Sequence, residues 1–419
     1  MTTALSAATA LGEQAAQLDA DDPLAPLRER FLLPPDVVYL DGNSLGPLPA
    51  AVPAALEDVV RRQWGTGLIG SWNAAGWWHA PLRVGDAIGT LIGAAPGQTI
   101  AGDSTSVQLF TALDAAAALR PDRPLLVTDP GHFPTDRYLA DAVARRRGLE
   151  VRHVPPPDLA RFLADEGRRV AVVSYSPVDF RTGELYDMGA LTRAAHDAGA
   201  LALWDLCHAA GALPLEVDAL GVDLAVGCGY KFLSGGPGAP AFLYVAQRHH
   251  AALETPLPGW TGHADPFGLA RDYIPAPGIA RARIGTPPIL SLLALEAALT
   301  AFDGVDLHQV RAKSLSLTGF LLRCAESLLA PLGFTSVTPS DPGRRGSQVT
   351  LRHPHAHGLA VAMAGRGVVA DMRAPDLLRF GVNPLFTSHG DLLTAASRLR
   401  DLTVEGAYDP APPGAGPVP

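Results

Sequence analysis

Of the 33 lysines and arginines in this 419-residue chain, only two are lysines, Lys231 and Lys313. Chemistry that needs an amine therefore has two candidate positions. Lys231 follows the apolar run Leu224–Gly227 and precedes the Gly-rich stretch Ser234-Gly235-Gly236-Pro237-Gly238. A lysine at the end of a buried strand, beside pliable backbone, can reach into a cleft. A low-dielectric cleft lowers its pKa and makes it nucleophilic. Lys313 lies in a helical pattern and is expected to be solvated. Asp205 closes another apolar run, Leu201–Asp205, 26 positions before Lys231. A carboxylate at the carboxyl end of a parallel strand faces the ligand crevice. Pyridoxal phosphate chemistry uses such a pair: the lysine forms a Schiff base, and the acid keeps the pyridine nitrogen protonated. Each residue alone has a plainer reading, as a solvent-facing lysine and as an N-cap aspartate.

A phosphate group would need its own cradle. Gly102-Asp103-Ser104-Thr105-Ser106 opens a helical stretch, and free N–H groups with hydroxyls at a helix start bind anions. Ordinary N-capping would read the same way. Gly131-His132-Phe133-Pro134-Thr135-Asp136 follows another apolar run and offers an aromatic face in a loop, or simply a turn. His353-Pro-His355-Ala-His357 lacks an accompanying cysteine or carboxylate, so no metal site is expected. Arg145-Arg146-Arg147 ends a helical stretch, where cations suit the dipole. The cysteines, Cys207, Cys228 and Cys324, imply no disulfide framework.

The elements that must position these groups follow from composition and periodicity. Apolar residues make up 47% and charged residues 18%, enough for a large core. A net charge of −9 argues against a nucleic-acid partner. The first basic residue is Arg28, and no apolar run approaches the ~18 residues of a membrane span. The expectation is a cytoplasmic protein with no membrane partner. Nearly continuous apolar runs at 124–128, 170–175, 201–205, 224–227 and 241–245 fit strands buried on both faces. Segments 50–63, 106–119, 136–148 and 188–198 suit helices. The expected class is α/β, with a mostly parallel central sheet, flanking helices and a smaller α/β C-terminal domain. A long helical pattern over 288–330 leads to that domain, with strands at 347–352, 368–373 and 377–382 and helices at 356–366 and 388–403. The expected division is 1–60 joining the small domain, 61–295 the large domain, 296–405 the small domain, and 406–419 a disordered Pro/Gly-rich tail.

The motifs in their order resemble kynureninase, a pyridoxal-phosphate hydrolase of the aspartate-aminotransferase fold (fold type I). The matching stretches are 39–46 (YLDGNSLG), 103–106 (DSTS), 133–136 (FPTD), 204–208 (WDLCH), Tyr230-Lys231, 259–263 (GWTGH), 285–288 (GTPP) and 378–381 (LRFG). They span roughly 36–405. The resemblance implies hydrolytic Cβ–Cγ cleavage of kynurenine, or of 3-hydroxykynurenine, giving anthranilate or its hydroxy form and alanine. It implies that Lys231 carries pyridoxal phosphate, that Asp205 pairs with the pyridine nitrogen beside His208, and that Phe133, with Pro134 and Thr135, covers the ring. Thr105, Ser106 and Ser176 would contact the cofactor, Thr105 and Ser106 at its phosphate. Tyr230 and Asp136 would touch the cofactor and move protons. Trp260 and Thr286 would reach the phosphate from a neighbouring subunit, which makes the active unit a homodimer. Arg379 would hold the substrate α-carboxylate, a planar bidentate task suited to arginine. Asn43 and Ser44 would border the substrate, and Trp72 could meet its ring.

Three positions depart from the expected pattern: Cys207 in place of a small alanine, Phe386 in place of a tyrosine after Asn383, and Thr286 in place of the asparagine of animal relatives. They leave open the preference for ring substituents, and the pathway is open too. The rival readings are a paralogue with another substrate, a cysteine desulfurase or selenocysteine lyase, and a non-catalytic relative. A desulfurase needs a cysteine on a mobile loop. Cys324 lies in an apolar helical pattern and Cys228 on a strand, so neither fits.

Overall fold

The five apolar runs read from the sequence are all strands of one sheet. The computed structural model describes residues 2–410, so 411–419 of the expected tail lie outside the described residues. The described residues form two compact units, one of 51–177 with 186–300, the other of 2–50, 178–185 and 301–410.

The larger unit holds a seven-stranded sheet. Its strands are β1 (Thr99–Ala101), β2 (Leu125–Thr128), β3 (Glu150–His153), β4 (Val170–Tyr175), β5 (Leu201–Asp205), β6 (Leu224–Cys228) and β7 (Ala241–Val245). The order is β1-β7-β6-β5-β4-β2-β3. Neighbours from β6 to β3 pair in parallel, and β7 pairs antiparallel with both β6 and β1. Every residue of β2, β4, β5, β6 and β7 is buried, which explains their unbroken apolar pattern. The helices are α1 (Val52–Asp58), α2 (Ala80–Ile92), α3 (Thr105–Ala118), α4 (Pro134–Arg147), α5 (Leu159–Glu166), α6 (Met188–Asp197) and α7 (Ile289–Leu299). Helix α3 crosses β4 to β7 and packs on α4. Its Leu109, Ala112, Leu113 and Ala116 join Leu126, Val172, Leu203 and Val226 in one apolar cluster. Residues 51–60, expected with the small domain, belong here because α1 packs on α7.

The smaller unit has a four-stranded antiparallel sheet: β8 (Thr335–Ser336), β9 (Gln348–Arg352), β10 (Asp371–Arg373) and β11 (Leu377–Gly381), in the order β8-β9-β11-β10. The expected strand 368–373 is two pieces. Val368–Val369 pairs instead with Val38–Tyr39, and Asp371–Arg373 joins the four-stranded sheet. Helices α8 (Leu307–Cys324), α9 (Ala356–Gly365) and α10 (His389–Glu405) pack with the N-terminal helix Thr2–Ala20. The expected helix over 288–330 is interrupted at Asp303-Gly304, where Gly304 takes a positive φ of 72°. The helical run from Leu307 to Leu332 has the length of a membrane span, and an 18-residue window within it has a mean hydropathy of 1.3. Its Leu317, Phe320, Leu321 and Cys324 are buried in the core of the unit, so it is a core helix.

Lys313 corrects the sequence reading. It is buried, and its Nζ lies 2.7 Å from Asp22 Oδ2. It sits in a helical pattern between Ala312 and Ser314, and the partner lies nearly 300 positions away, out of reach of local inspection. Lys313→Ala would leave the Asp22 carboxylate without its cation. The expected loss is about 3–5 kcal/mol, with most of it recovered in Lys313→Ala/Asp22→Ala. Urea unfolding of both variants checks this.

Candidate active site

In the larger unit the loops after β2, β4, β5 and β6 leave the sheet at its carboxyl edge, where α/β sheets bind ligands. Asp205 is the last residue of β5 and is buried. Its Oδ1 accepts from the Cys207 N–H at 2.8 Å, which turns the chain toward His208. Lys231 follows β6 at the start of the turn to the Gly-rich run. Its Nζ lies 3.0 Å from His208 Nε2. Thus Asp205, His208 and Lys231 come together although they lie on separate strand ends. Burial and the Asp136 carboxylate push Asp205 above the ordinary carboxylate range, against the pull of His132 and Lys231. Burial likewise raises the Tyr230 phenol, and the Cys228, Cys207 and Asp205 side chains add to it.

Helix α3 begins at Thr105, capped by Ser104, whose Oγ accepts from the Val107 N–H. Asp103 before it takes a positive φ of 53°, the left-handed region. Thr105 Oγ1 is buried with no hydrogen-bond partner, and Ser106 is exposed. Pro134 opens α4 and fixes its entry, Thr135 follows, and Asp136 sits in the first turn. Phe133 is 44% exposed and presents a ring face, whereas His132 beside it is buried. Ser176 follows β4 and is half-buried.

Trp260 and Thr286 lie elsewhere in this unit. The Trp260 ring meets Trp78 at 5.5 Å and Phe267 at 5.9 Å, in a cluster with Trp72 and Trp77. Thr286 is exposed beside a small cleft of about 30 Å³ that Gly102, Asp103 and Arg283 also line.

The remaining expected residues form a second cluster, within the smaller unit. Asp371 of β10 stands directly across the antiparallel pair from Arg379 of β11. Arg379 donates from Nε to Asp371 Oδ1 at 2.8 Å and from Nη2 to Oδ2 at 2.6 Å. Its Nη2 also donates to Ser44 Oγ at 2.9 Å, and its Nη1 to the Phe180 carbonyl. At 1% exposure Arg379 is not a surface arginine. Asn43 is fully buried and donates to Gln348 Oε1 at 3.2 Å. It packs on Gly381, where a Cβ would stand 1.9 Å from Asn43 Oδ1, so the glycine of Leu378-Arg-Phe-Gly381 is required for close approach. Asp371, Arg373 and the Phe180 carbonyl are absent from the sequence reading. Only the strand register reveals them.

Asp41 joins the same cluster. Burial and the Asp371 carboxylate push it up to about 7, while Ser44 and Arg379 pull it down. Arg379 and Arg373 hold Asp371 below its ordinary value despite burial. The folded chain thus keeps a proton on Asp41 that the unfolded chain loses near pH 4, so this group costs stability as pH rises from about 4 to about 7. Asp41→Asn mimics the protonated form. Its stability should match wild type near pH 4 and exceed it increasingly up to about pH 7, by on the order of 2–4 kcal/mol at the plateau. Thermal melts across roughly pH 4 to 8 check this.

All three cysteines are free and buried, Cys324 inside α8, Cys228 at the end of β6 and Cys207 in the turn after β5. None occupies an exposed loop. The His353 ring stacks on Phe334 at 4.2 Å, a packing role.

This fold is that of the fold-type-I pyridoxal-phosphate enzymes. A cysteine desulfurase of Thermococcus onnurineus superposes with a TM-score of 0.75 at 18% identity, covering 93% of this chain and 98% of that one. C-DES, described as a cystine C-S lyase in a second structure, gives 0.77 at 17% in a variant with glycine covalently linked to its pyridoxal phosphate, covering 89% and 99%. At these identities the likeness is one of fold. Sequence defines the family. Residues 310–399 match the kynureninase C-terminal domain. The kynureninase of Deinococcus radiodurans is 49% identical over 388 residues, 91% of this chain and 94% of that protein. That of Burkholderia pseudomallei is 45% identical over 399 residues, 93% and 95%. The chain belongs to the kynureninase family.

Proposed function

We propose that this chain is a pyridoxal-phosphate hydrolase that cleaves the Cβ–Cγ bond of L-kynurenine, giving anthranilate and alanine. The observation that carries the reading is the convergence of Lys231, His208 and Asp205 at one sheet edge in a chain of this family. The residues fit the cofactor. Thr105 Oγ1, at the start of α3, is a buried polar atom with no hydrogen-bond partner, and such an atom calls for a polar ligand. When bound, the cofactor supplies a conjugated pyridinium that stores the electron pairs released at the substrate's Cα and Cβ. Lys231 would hold it covalently, Asp205 would face its ring nitrogen, Phe133 would cover the ring, and Thr105 and Ser106 would take its phosphate. Ser176, Pro134 and Thr135 border the same loops.

The chain's own groups then handle the protons. Lys231 Nζ would take the Cα proton, with His208 3.0 Å away to share it. Tyr230 keeps its phenol protonated and serves as an acid, with Asp136 as a further proton carrier. Arg379, aligned by Asp371 and Ser44, holds the α-carboxylate, and Asn43 supports that segment. Trp260 and Thr286 serve a neighbouring subunit's phosphate, so the working form is a homodimer. Three free cysteines suit a reducing cytoplasm.

The test is release of fluorescent anthranilate from purified protein given pyridoxal phosphate and L-kynurenine. Steady turnover is the expected result. No turnover from a protein that still binds the cofactor would overturn the substrate assignment, and 3-hydroxykynurenine would be tried next.

A further inference from the structure

His132 stands between two carboxylates that the reaction needs in different states. In the loop after β2, Phe133 turns outward and His132 turns in, with 6% of it exposed. One ring nitrogen of His132, one oxygen of Asp136 and one of Asp205 all lie within 4.8 Å of one another. Nδ1 of His132 is 3.4 Å from Asp136 Oδ1 and 3.0 Å from the Phe133 N–H. These neighbours make opposite demands: the carboxylate wants an N–H, and the amide wants a lone pair. The ring is therefore poised between neutral and protonated forms. Its Nε2 is buried with no hydrogen-bond partner. Other charges face the trio as well. Asp129 lies at the end of β2, and beyond Asp205 stand Lys231 and, bonded to it, His208.

We propose that His132 is a positioning residue for the cofactor's ring nitrogen: by taking a proton between Asp136 and Asp205, it keeps Asp205 ionised at neutral pH. The inference rests on the reading above that Asp205 faces that nitrogen. Two buried carboxylates this close oppose each other's ionisation, and a cation between them relieves both. Burial pushes the His132 imidazole down, but Asp136, Asp205 and Asp129 more than offset it, and it stands above the ordinary histidine value. A neutral residue at 132 would leave Asp136 free to hold a proton on Asp205. Cofactor binding would then have to displace that proton.

The experiment measures the dissociation constant of pyridoxal phosphate for the full chain across neutral and mildly acid pH, by the visible absorbance of the loaded protein. In His132→Asn the pH below which affinity falls should move upward. Each unit of that shift weakens binding about tenfold at a fixed acid pH. Adding Asp136→Asn should move the profile back. A folded His132→Asn with the wild-type profile overturns the proposal. Should His132→Asn fail to fold by circular dichroism, His132→Gln carries the same two outcomes. A wild-type chain without the visible band overturns the cofactor reading and this proposal together, which separates the two failures.

Discussion

Lys231→Ala is expected to lower kynurenine turnover by on the order of 10⁴-fold, with the fold intact. The size follows from two losses in one residue. On the proposed reading the amine is both the covalent anchor for the cofactor and the base at Cα. No other lysine can replace it. Lys313, the second of the two, lies in the smaller unit, locked to Asp22 at 2.7 Å. His208 survives beside the vacated position and accounts for whatever activity remains. The variant should still bind pyridoxal phosphate through Asp205 and the α3 hydroxyls, but with the absorbance of the free aldehyde. Stopped assays of anthranilate and a visible spectrum of the loaded variant check both halves. Turnover within about tenfold of wild type would remove Lys231 from the mechanism.

Arg379→Ala carries the second large effect, on two separate readouts. In catalysis, where Arg379 is proposed to hold the α-carboxylate, its removal should raise KM for kynurenine by on the order of 10²-fold, because a charge-assisted contact would be lost. In stability it should cost about 3–5 kcal/mol, because Asp371 loses the partner that holds two of its oxygens in a buried site. Arg373, 2.8 Å from Asp371 Oδ2, limits that cost to the lower end. Arg379→Lys should rescue neither. An ammonium cannot span both Asp371 oxygens and also reach Ser44 and the Phe180 carbonyl. A carboxylate held by Arg379, as proposed, would have to compete with the Phe180 carbonyl for Nη1, so the arginine would gain a ligand by exchanging one. Steady-state kinetics and urea unfolding of the two variants separate the roles.

The legible part of the fold was the part with one-dimensional signals. Five strands of the large sheet are buried on both faces and print nearly continuous apolar runs, and β4, β5 and β7 begin and end where those runs do. The exposed edge strand Glu150–His153 prints no such run and was not read. The chemistry at strand ends was legible for the same reason, since Asp205 and Lys231 terminate apolar runs. What stayed hidden depends on partners far along the chain. Lys313 reads as solvated until Asp22 is placed beside it, and Asp371 has no visible purpose until register sets it opposite Arg379. His132 was seen only as part of a turn. Its direction, inward where Phe133 points outward, is a property of loop geometry that residue types do not carry.

The smaller unit draws on three separated stretches of chain, and this sets the order in which the protein can be assembled on a ribosome. The hairpin 178–185 emerges in the midst of the larger unit's strands, yet its hydrogen-bond partners are Thr338, Arg344, Gly346 and Thr350. It must wait, unpaired, for more than 150 residues of further synthesis. The N-terminal helix waits longer, since it packs on α10, which begins at His389. The larger unit, whose last helix ends at Leu299, can finish first. The stretch that carries the family's C-terminal signature, 310–399, is therefore a unit of ancestry more than a unit of folding: excised, it would lack both the hairpin and the helix that complete its core.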